Sequence, residues 1–592
     1  MRLSKLEKRI TWALICIMVL SCLPTANAFA ESGTEDLSWW QKTNAYEVYV
    51  NSFQDTDGNG YGDINGVTEH LDHFESLGVG AVWLTPVFVS PMKDNGYDVA
   101  DYYTINPLYG SNEDMDRLLE EAGQKGIRIV MDLVFNHTSD QHEWFRESSK
   151  SRENDYSDWY IWRDANPDGG APNNWRGIFG GSVWTWCEAR QQYYMHTFAA
   201  SQPDLNWENP DVRRALCDIA NYWVDKGVGG FRMDAIPYIK KPADFSDGEP
   251  DSPDGMVSVH TMTANTEGIL DYLHEFKQQV QDGTDIFTVG EANGVHSEDL
   301  PDWVGANGVF DMVFSFDHLI DREIWCEESD WFLTDMKKAL SDSQAATAEN
   351  GWYPIYFENH DRARSISSYF PGDADPTLAG RAMGTVLLTL RGTPFLYEGE
   401  ELGYVNVAWP SIDDYNDLNS INQYEIALDQ GYTEEEALAF VQRYSRDNAR
   451  TPMQWNDEPN AGFTTGTPWL PVHDDYRTEN AAEEVSDPAS VLDWYITLVD
   501  FREANDVLID GNYTEIDASS EQIYAFLREN EDEKLLVAVN FTGENVAVDL
   551  SESGMDSVMD AEILLSSYEG IDETGARADV LRPYEAIVVS VR

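Results

Sequence analysis

Positive charge is what this 592-residue chain has least of. Its 39 lysines and arginines stand against 106 aspartates and glutamates, a formal net charge of −67. Such a surface repels phosphate backbones and anionic lipid, which excludes nucleic acid and membrane surfaces as partners. It also strains the fold by self-repulsion at low ionic strength, as expected of an acidic secreted enzyme or of one from an ion-rich habitat. Cysteine is scarce too, with five in all. Cys16 and Cys22 lie near the N-terminus, and Cys187, Cys217 and Cys326 are widely spaced. That leaves no disulfide framework and no zinc-ligand spacing, so free thiols are expected. Beyond the N-terminal segment no stretch reaches the roughly 18 unbroken apolar residues of a membrane span.

Aromatic residues, by contrast, are plentiful: 20 tryptophans and 29 tyrosines in a chain that is 42% hydrophobic. This composition argues for a large core, and aromatic faces also suit the apolar faces of sugar rings. Residues 1–30 read as a secretory signal. Arg2, Lys5, Lys8 and Arg9 form a basic start, "ITWALICIMVLSCL" is an apolar run, and Ala28 and Ala30 end small-residue cleavage sites. The mature protein is expected to be secreted, soluble and monomeric, with lipoprotein anchoring at Cys22 in "VLSC" as the alternative.

Eight apolar runs follow: 45–50, 80–85, 127–134, 228–235, 285–291, 310–316, 353–359 and 393–399. Most are continuous rather than alternating, as in parallel strands covered on both faces. Helical patterns lie between them. One begins at Ser111 with acids in its first turn and ends at Gly126; another has Asn209 as cap and Pro210 at its first position. The alternation predicts a (β/α)8 barrel over 36–137 and 206–507. Residues 138–205, rich in Trp, Tyr, Asn and Gly, read as a subdomain inserted after the third strand. The long connection at 400–460 is expected to fold over the same barrel face. Short alternating strands over 508–592 predict a C-terminal antiparallel β-sandwich domain.

In such barrels the chemistry gathers at the carboxyl ends of the strands. Those ends carry Asp132 to His137, Arg232 and Asp234, Glu291, and Asn359, His360 and Asp361. Any one strand-end acid has an everyday use as a helix cap, but acids on successive strands would converge on one mouth. A carboxylate beside an arginine stays ionised and can attack an electrophilic carbon. A second carboxyl, kept protonated by apolar surroundings, can protonate a leaving oxygen. That pairing is the chemistry of glycoside cleavage, with retention when the carboxyls are about 5 Å apart.

The segments "DLVFNH" (132–137), "GFRMDAI" (230–236), "VGEAN" (289–293) and "FENHDR" (357–362), with "QPDLNWENP" (202–210), resemble in order and spacing the signature regions of the α-amylase superfamily of glycoside hydrolases, family 13. The resemblance implies that Asp234 is the nucleophile, Glu291 the general acid/base, and Asp361 the carboxylate that stabilises the distorted sugar. It implies that Arg232 orients the nucleophile and that His137 and His360 grip the glucose. Tyr97 and Asp98 match the platform and clamp for the terminal ring, with Arg450, or alternatively Arg446, as the clamp's partner. "YEGEELGYVNV" (397–407) and "RTPMQWNDEPNAGFTTGTPW" (450–469) are similar to the oligo-1,6-glucosidase and α-glucosidase branch, whose members remove glucose from the non-reducing end. Ala235, where α-1,6-preferring members often carry Val, points to α-1,4-linked gluco-oligosaccharides, with α-1,6 linkages as a further substrate. An endo-acting α-amylase, a trehalose- or sucrose-isomerising or glucosyl-transferring enzyme, and a non-catalytic transporter-associated relative are the alternatives. Retention of every carboxylate and both histidines argues against the last.

In "DTDGNGYGD" (55–63), oxygen ligands at Asp55, Asp57, Asn59, the Tyr61 carbonyl and Asp63 follow calcium-loop spacing, with Gly60 at the sharp turn. Position twelve is Gly66, so the loop is not an EF-hand. It resembles the structural divalent-ion loop of the same branch, for Ca2+ or Mg2+. His70, His73 and His142 show no ligand spacing. Chelation is expected to lower the thermal unfolding midpoint of the purified enzyme; an unchanged midpoint argues against a bound ion.

Overall fold

The computed structural model describes residues 37–591 apart from 253, 321–323, 328–330, 551–561 and 569–579. The expected signal, residues 1–30 with Cys22, lies outside them. Among the described residues no helix is long and apolar enough to cross a membrane.

Each apolar run becomes a barrel strand. The strands are β1 Asn44–Val48, β2 Val79–Leu84, β3 Arg128–Val134, β4 Gly230–Asp234, β5 Phe287–Glu291, β6 Met312–Phe314, β7 Pro354–Ile355 and β8 Thr393–Tyr397. Their order is β6-β5-β4-β3-β2-β1-β8-β7, and all of their ladders are parallel. At the seam between β6 and β7, the Tyr356 hydroxyl donates to the Ser315 carbonyl at 2.7 Å and the Ser315 and Tyr353 hydroxyls pair at 2.8 Å. All five residues of β4 are buried, including Arg232 and Asp234. Arg232 lies in register with Asp132 on β3 and Val289 on β5.

The helices obey their end signals. Ser111 and Asp114 form a capping box on helix Asn112–Gln124, whose buried face is Met115, Leu118 and Ala122. Helix Pro210–Lys226 is capped by Asn209 and buries Val212, Leu216, Ile219 and Trp223. It stops at Gly227, whose φ of 100° is left-handed.

The inserted subdomain holds helix Glu143–Ser148 and an antiparallel sheet of Trp162–Arg163, Gln192–Met195 and Trp184–Cys187. Its core does not close on itself at residue 205. Ile161, Trp175, Val183, Trp184 and Met195 pack with Val257 and Val259 of the loop after β4, and Trp175–Arg176 pairs with Val257–Ser258. The loop after β8 forms helices Leu418–Asp429 and Glu434–Tyr444. Val441 on the second of them packs with Tyr415 and with Trp325 from the loop after β6. Cys187, Cys217 and Cys326 are free thiols.

The C-terminal domain is antiparallel: β9 Asn512–Ile516, β10 Ile523–Glu529, β11 Lys534–Asn540, β12 Glu562–Ser566 and β13 Ala586–Ser590, in the order β9-β10-β11-β13-β12. Alternation splits its side chains. Tyr524, Phe526, Val537 and Val588 join the barrel core, while Ile523, Ala525, Leu536 and Ile587 form a second core with Val548 and Leu581. Among the described residues the second layer is a two-stranded ladder, Val546–Ala547 with Val580–Leu581.

Arg502 and Arg528 fasten this domain to the barrel. Arg502 donates to the carbonyls of Leu388, Leu390, Gly392 and Leu508, and Arg528 to those of Thr389, Leu508 and Gly511. Most of these carbonyls end helices or short helical turns, where the peptide dipoles favour a cation. Arg502→Met removes four hydrogen bonds and leaves the Leu388, Leu390 and Gly392 carbonyls without an arginine, Leu508 keeping Arg528, and chemical denaturation is expected to show a loss of about 3 kcal/mol with no change in site chemistry.

Candidate active site

Buried charges persist only when they are paired, and the centre of the barrel mouth is a chain of such pairs. Arg232 Nη1 donates to both oxygens of Asp132 at 2.9 Å and to Asp234 Oδ1 at 2.8 Å. Its Nη2 donates to Glu291 Oε2 at 2.7 Å. One planar guanidinium therefore holds carboxylates from β3, β4 and β5. The same Glu291 oxygen accepts the Ala235 N–H at 2.9 Å. Ala235 itself is left-handed, φ 47° and ψ 36°, at a cost of about 1–2 kcal/mol for a residue with a Cβ. The surroundings of Glu291 are thus polar, not the apolar pocket its expected role suggested.

Burial raises Asp234 well above the ordinary carboxylate range; Arg232 opposes this, and the Glu291 and Asp132 charges add to it. One guanidinium thus serves three carboxylates, so the arginine beside Asp234 does not hold it low as the sequence alone suggested. Asp361 is the opposite case. Burial works against its charge, but His360, Arg446 and Arg450 outweigh it and hold the carboxyl well below the usual range. Its Oδ1 accepts Arg446 Nη1 and Arg450 Nη2, both at 2.9 Å. His360 Nδ1 contacts Glu47 Oε1 at 2.5 Å, and Nε2 lies 2.8 Å from the Tyr97 hydroxyl, which donates to Asp132 at 3.0 Å. Burial opposes charge on His360, yet Asp361 and Glu47 raise it to about 9.

A cavity of about 420 Å3 opens over this network, within the usual range of small-molecule sites. Of the expected residues, Asp234, Glu291, Asp361, Tyr97 and His137 line it. Arg232, His360 and Arg450 stand behind and fix them. Burial lowers His137, leaving it neutral. Its Nε2 contacts the Tyr97 carbonyl at 2.9 Å and Gln202 Nε2 at 3.2 Å.

Asp98 is a correction: the structure does not bring it to the cavity. Its side chain turns into the protein and accepts from Ser90 and two backbone N–H groups. Asp94, three residues before the platform tyrosine, lines the cavity and accepts Gln202 Nε2 at 2.9 Å. In "DNGYD" two aspartates flank a turn, and the sequence does not reveal which one faces out. Arg446, the alternative to Arg450, is the arginine on the cavity wall and is electrostatically coupled to Asp94. Sequence reasoning also missed Glu47, which carries no motif of its own; its alignment with the other strand ends was the available signal.

Asp55, Asp57 and Asp63 come together with carboxylate oxygens within 4.8 Å of one another. Three hard oxygen donors suit a cation such as Ca2+. Asn59 shares the turn, but its Oδ1 accepts the Tyr61 N–H at 2.8 Å. Asp63 also caps helix Ile64–Glu69, so the cluster braces the start of the barrel rather than the reacting centre.

Residues 47–511 match the alpha-amylase catalytic domain, and residues 523–588 match the C-terminal domain of the α-amylase SusG. The chain belongs to the α-amylase family of glycoside hydrolases and is of the oligo-1,6-glucosidase and α-glucosidase type. It is 42% identical over 560 residues to an oligo-1,6-glucosidase of Heyndrickxia coagulans, covering 93% of this chain and 99% of that one. Two solved structures, each 38% identical and covering 94% of this chain and all of their own, superpose with a TM-score of 0.87. They are a trehalose-6-phosphate hydrolase of Bacillus licheniformis and a trehalulose synthase of Pseudomonas mesoacidophila.

The His360 pairing has a pH signature. Its folded value, about 9, lies above the ordinary 6.5, so its contribution to stability is complete below about 6.5 and is lost as pH rises through about 9. The unfolding midpoint is expected to fall across that window, and to fall less in His360→Gln, as followed by calorimetry at a series of pH values.

Proposed function

We propose that the chain is a secreted, exo-acting, retaining α-glucosidase that releases glucose from the non-reducing end of α-1,4-linked gluco-oligosaccharides, and more slowly from α-1,6-linked ones. The observation that carries this is the single Arg232 guanidinium bonded to both Asp234 and Glu291. It keeps the two carboxyl groups close, as retention through a covalent intermediate requires (about 5 Å).

In this reading Asp234 attacks the anomeric carbon. Glu291, whose Oε2 is anchored by Arg232 and Ala235, hands a proton from its other oxygen to the departing sugar, then takes one from the water that frees the glucose. Asp361, held ionised by its cations, stabilises the charge that develops on the ring. In this reading Tyr97 lies beneath the terminal glucose and His137 beside it, and Asp94 and Arg446 line the cavity with them. Exo action over the endo-acting alternative is supported by the likeness to oligo-1,6-glucosidases and an α-glucosidase. The preference for α-1,4 rests on Ala235, whose small side chain leaves room at the leaving-group side. Ca2+ held by Asp55, Asp57 and Asp63 would have a structural role. Export is supported by the basic start, apolar run and small-residue sites of residues 1–30.

Transfer of the glucosyl group to a second sugar is the other reading, supported by the likeness to a trehalulose synthase over 94% of the chain. It uses the same covalent intermediate with a sugar in place of water. Product identification over time, with maltose, isomaltose, sucrose, trehalose and starch offered separately, is expected to show glucose as the first product, with maltose consumed faster than isomaltose. New linkages as the main product would favour transfer, and early long fragments from starch would favour endo action. Asp234→Asn and Glu291→Gln are each expected to lower kcat by at least about a thousandfold in folded protein.

A further inference from the structure

Asp98, displaced from the clamp, is a buried carboxylate with no cation. It is fully buried, and burial pushes it up to about 6. A chain keeps such a group only where its bonds matter. All of them are on one oxygen: Oδ1 accepts Ser90 Oγ at 2.8 Å, the Lys93 N–H at 3.0 Å and the Asp94 N–H at 3.2 Å. Oδ2 is buried without a hydrogen-bond partner.

The loop it gathers is one that does not hold its shape unaided. Met92 and Asn95 are left-handed, with φ of 62° and 46°, which costs energy in residues with a Cβ. Gly96 has φ of 105°, and a Cβ there would lie 2.8 Å from the Pro86 carbonyl. Ser90 Oγ accepts the Met92 N–H at 2.9 Å while donating to Asp98, and the Tyr97 N–H closes back on the Asp94 carbonyl at 2.8 Å. The same few residues supply two parts of the cavity wall: Asp94, bound by Gln202, and Tyr97, whose hydroxyl meets Asp132 and His360.

We propose that Asp98 is a positioning residue for the terminal-glucose subsite, acting through the 90–97 loop to set Asp94 and Tyr97 at their end of the cavity. It touches neither sugar nor reacting atoms. The inference rests on the reading of that end as a glucose subsite. It assigns to the subsite a carboxylate outside the cavity, and a separable effect: affinity for the terminal ring changes while the chemical step on bound substrate does not.

Three variants test it: Asp98→Ala, Asp98→Asn, which keeps one acceptor oxygen, and Ser90→Ala, which removes one donor. For each, the unfolding midpoint, kcat and KM on maltose, and the inhibition constant for free glucose are measured beside wild type. Asp98→Ala is expected to raise KM and the glucose inhibition constant about tenfold, with kcat within about twofold of wild type. Asp98→Asn is expected to recover most of that loss, and Ser90→Ala to show a smaller rise of about threefold. If Asp98→Ala does not fold, the other two carry the test. The proposal is overturned if the folded variants keep wild-type KM and glucose inhibition, or if kcat falls as much as KM rises. A wild type that turns over no α-glucoside yet binds glucose more tightly than its variants would defeat the proposed activity and leave this assignment standing.

Discussion

One guanidinium decides what this barrel does. Arg232 points from β4 into the barrel mouth and takes hold of carboxylates from the strands on either side of it and from the end of its own. Removed from water, it needs them, and they need it; none of the four groups is affordable without the others. The arrangement crowds acidic groups around a single cation, and burial together with the neighbouring charges raises Asp234. A few ångströms away Asp361 has a surplus of cations and stays ionised.

The wider network follows from this constraint. Tyr97 bonds to Asp132 and to His360, His360 to Glu47, and Asp361 to Arg446 and Arg450. The site is therefore held by β1, β3, β4 and β5 together with the loops after β2, β7 and β8. Such a site depends on the whole barrel being closed, and the Arg502 and Arg528 clamps at the junction with the C-terminal domain help to keep it so. Directly after Asp234 the chain turns through Ala235, a left-handed non-glycine residue whose N–H bonds Glu291.

Loops determine the rest. The inserted subdomain shares its core with the segment after β4, and the helices after β8 pack on the loop after β6. The cavity walls are thus contributed by segments distant in sequence and joined by apolar contacts. Its floor is built by the barrel strand ends, whereas the rest of its wall is the work of these loops.

Much of this was legible beforehand. Continuous apolar runs marked the strands because parallel strands are buried on both faces, and Ser111, Asn209 and Pro210 marked helix starts because a helix must cap its own terminal groups. Strand-end polar residues marked Asp234, Glu291, Asp361, Arg232 and the histidines, since the ends of barrel strands share one mouth. What the sequence could not decide was direction. Asp94 and Asp98 are chemically identical and flank the same turn; which one faces the cavity depends on the left-handed residues and hydrogen bonds of the folded loop. Arg446 and Arg450 both reach Asp361, and only packing put the first on the wall and the second behind it. Local patterns carry burial and periodicity, which are properties of a segment. Which way a side chain points at a turn, and which distant loop it meets, are properties of the closed structure alone.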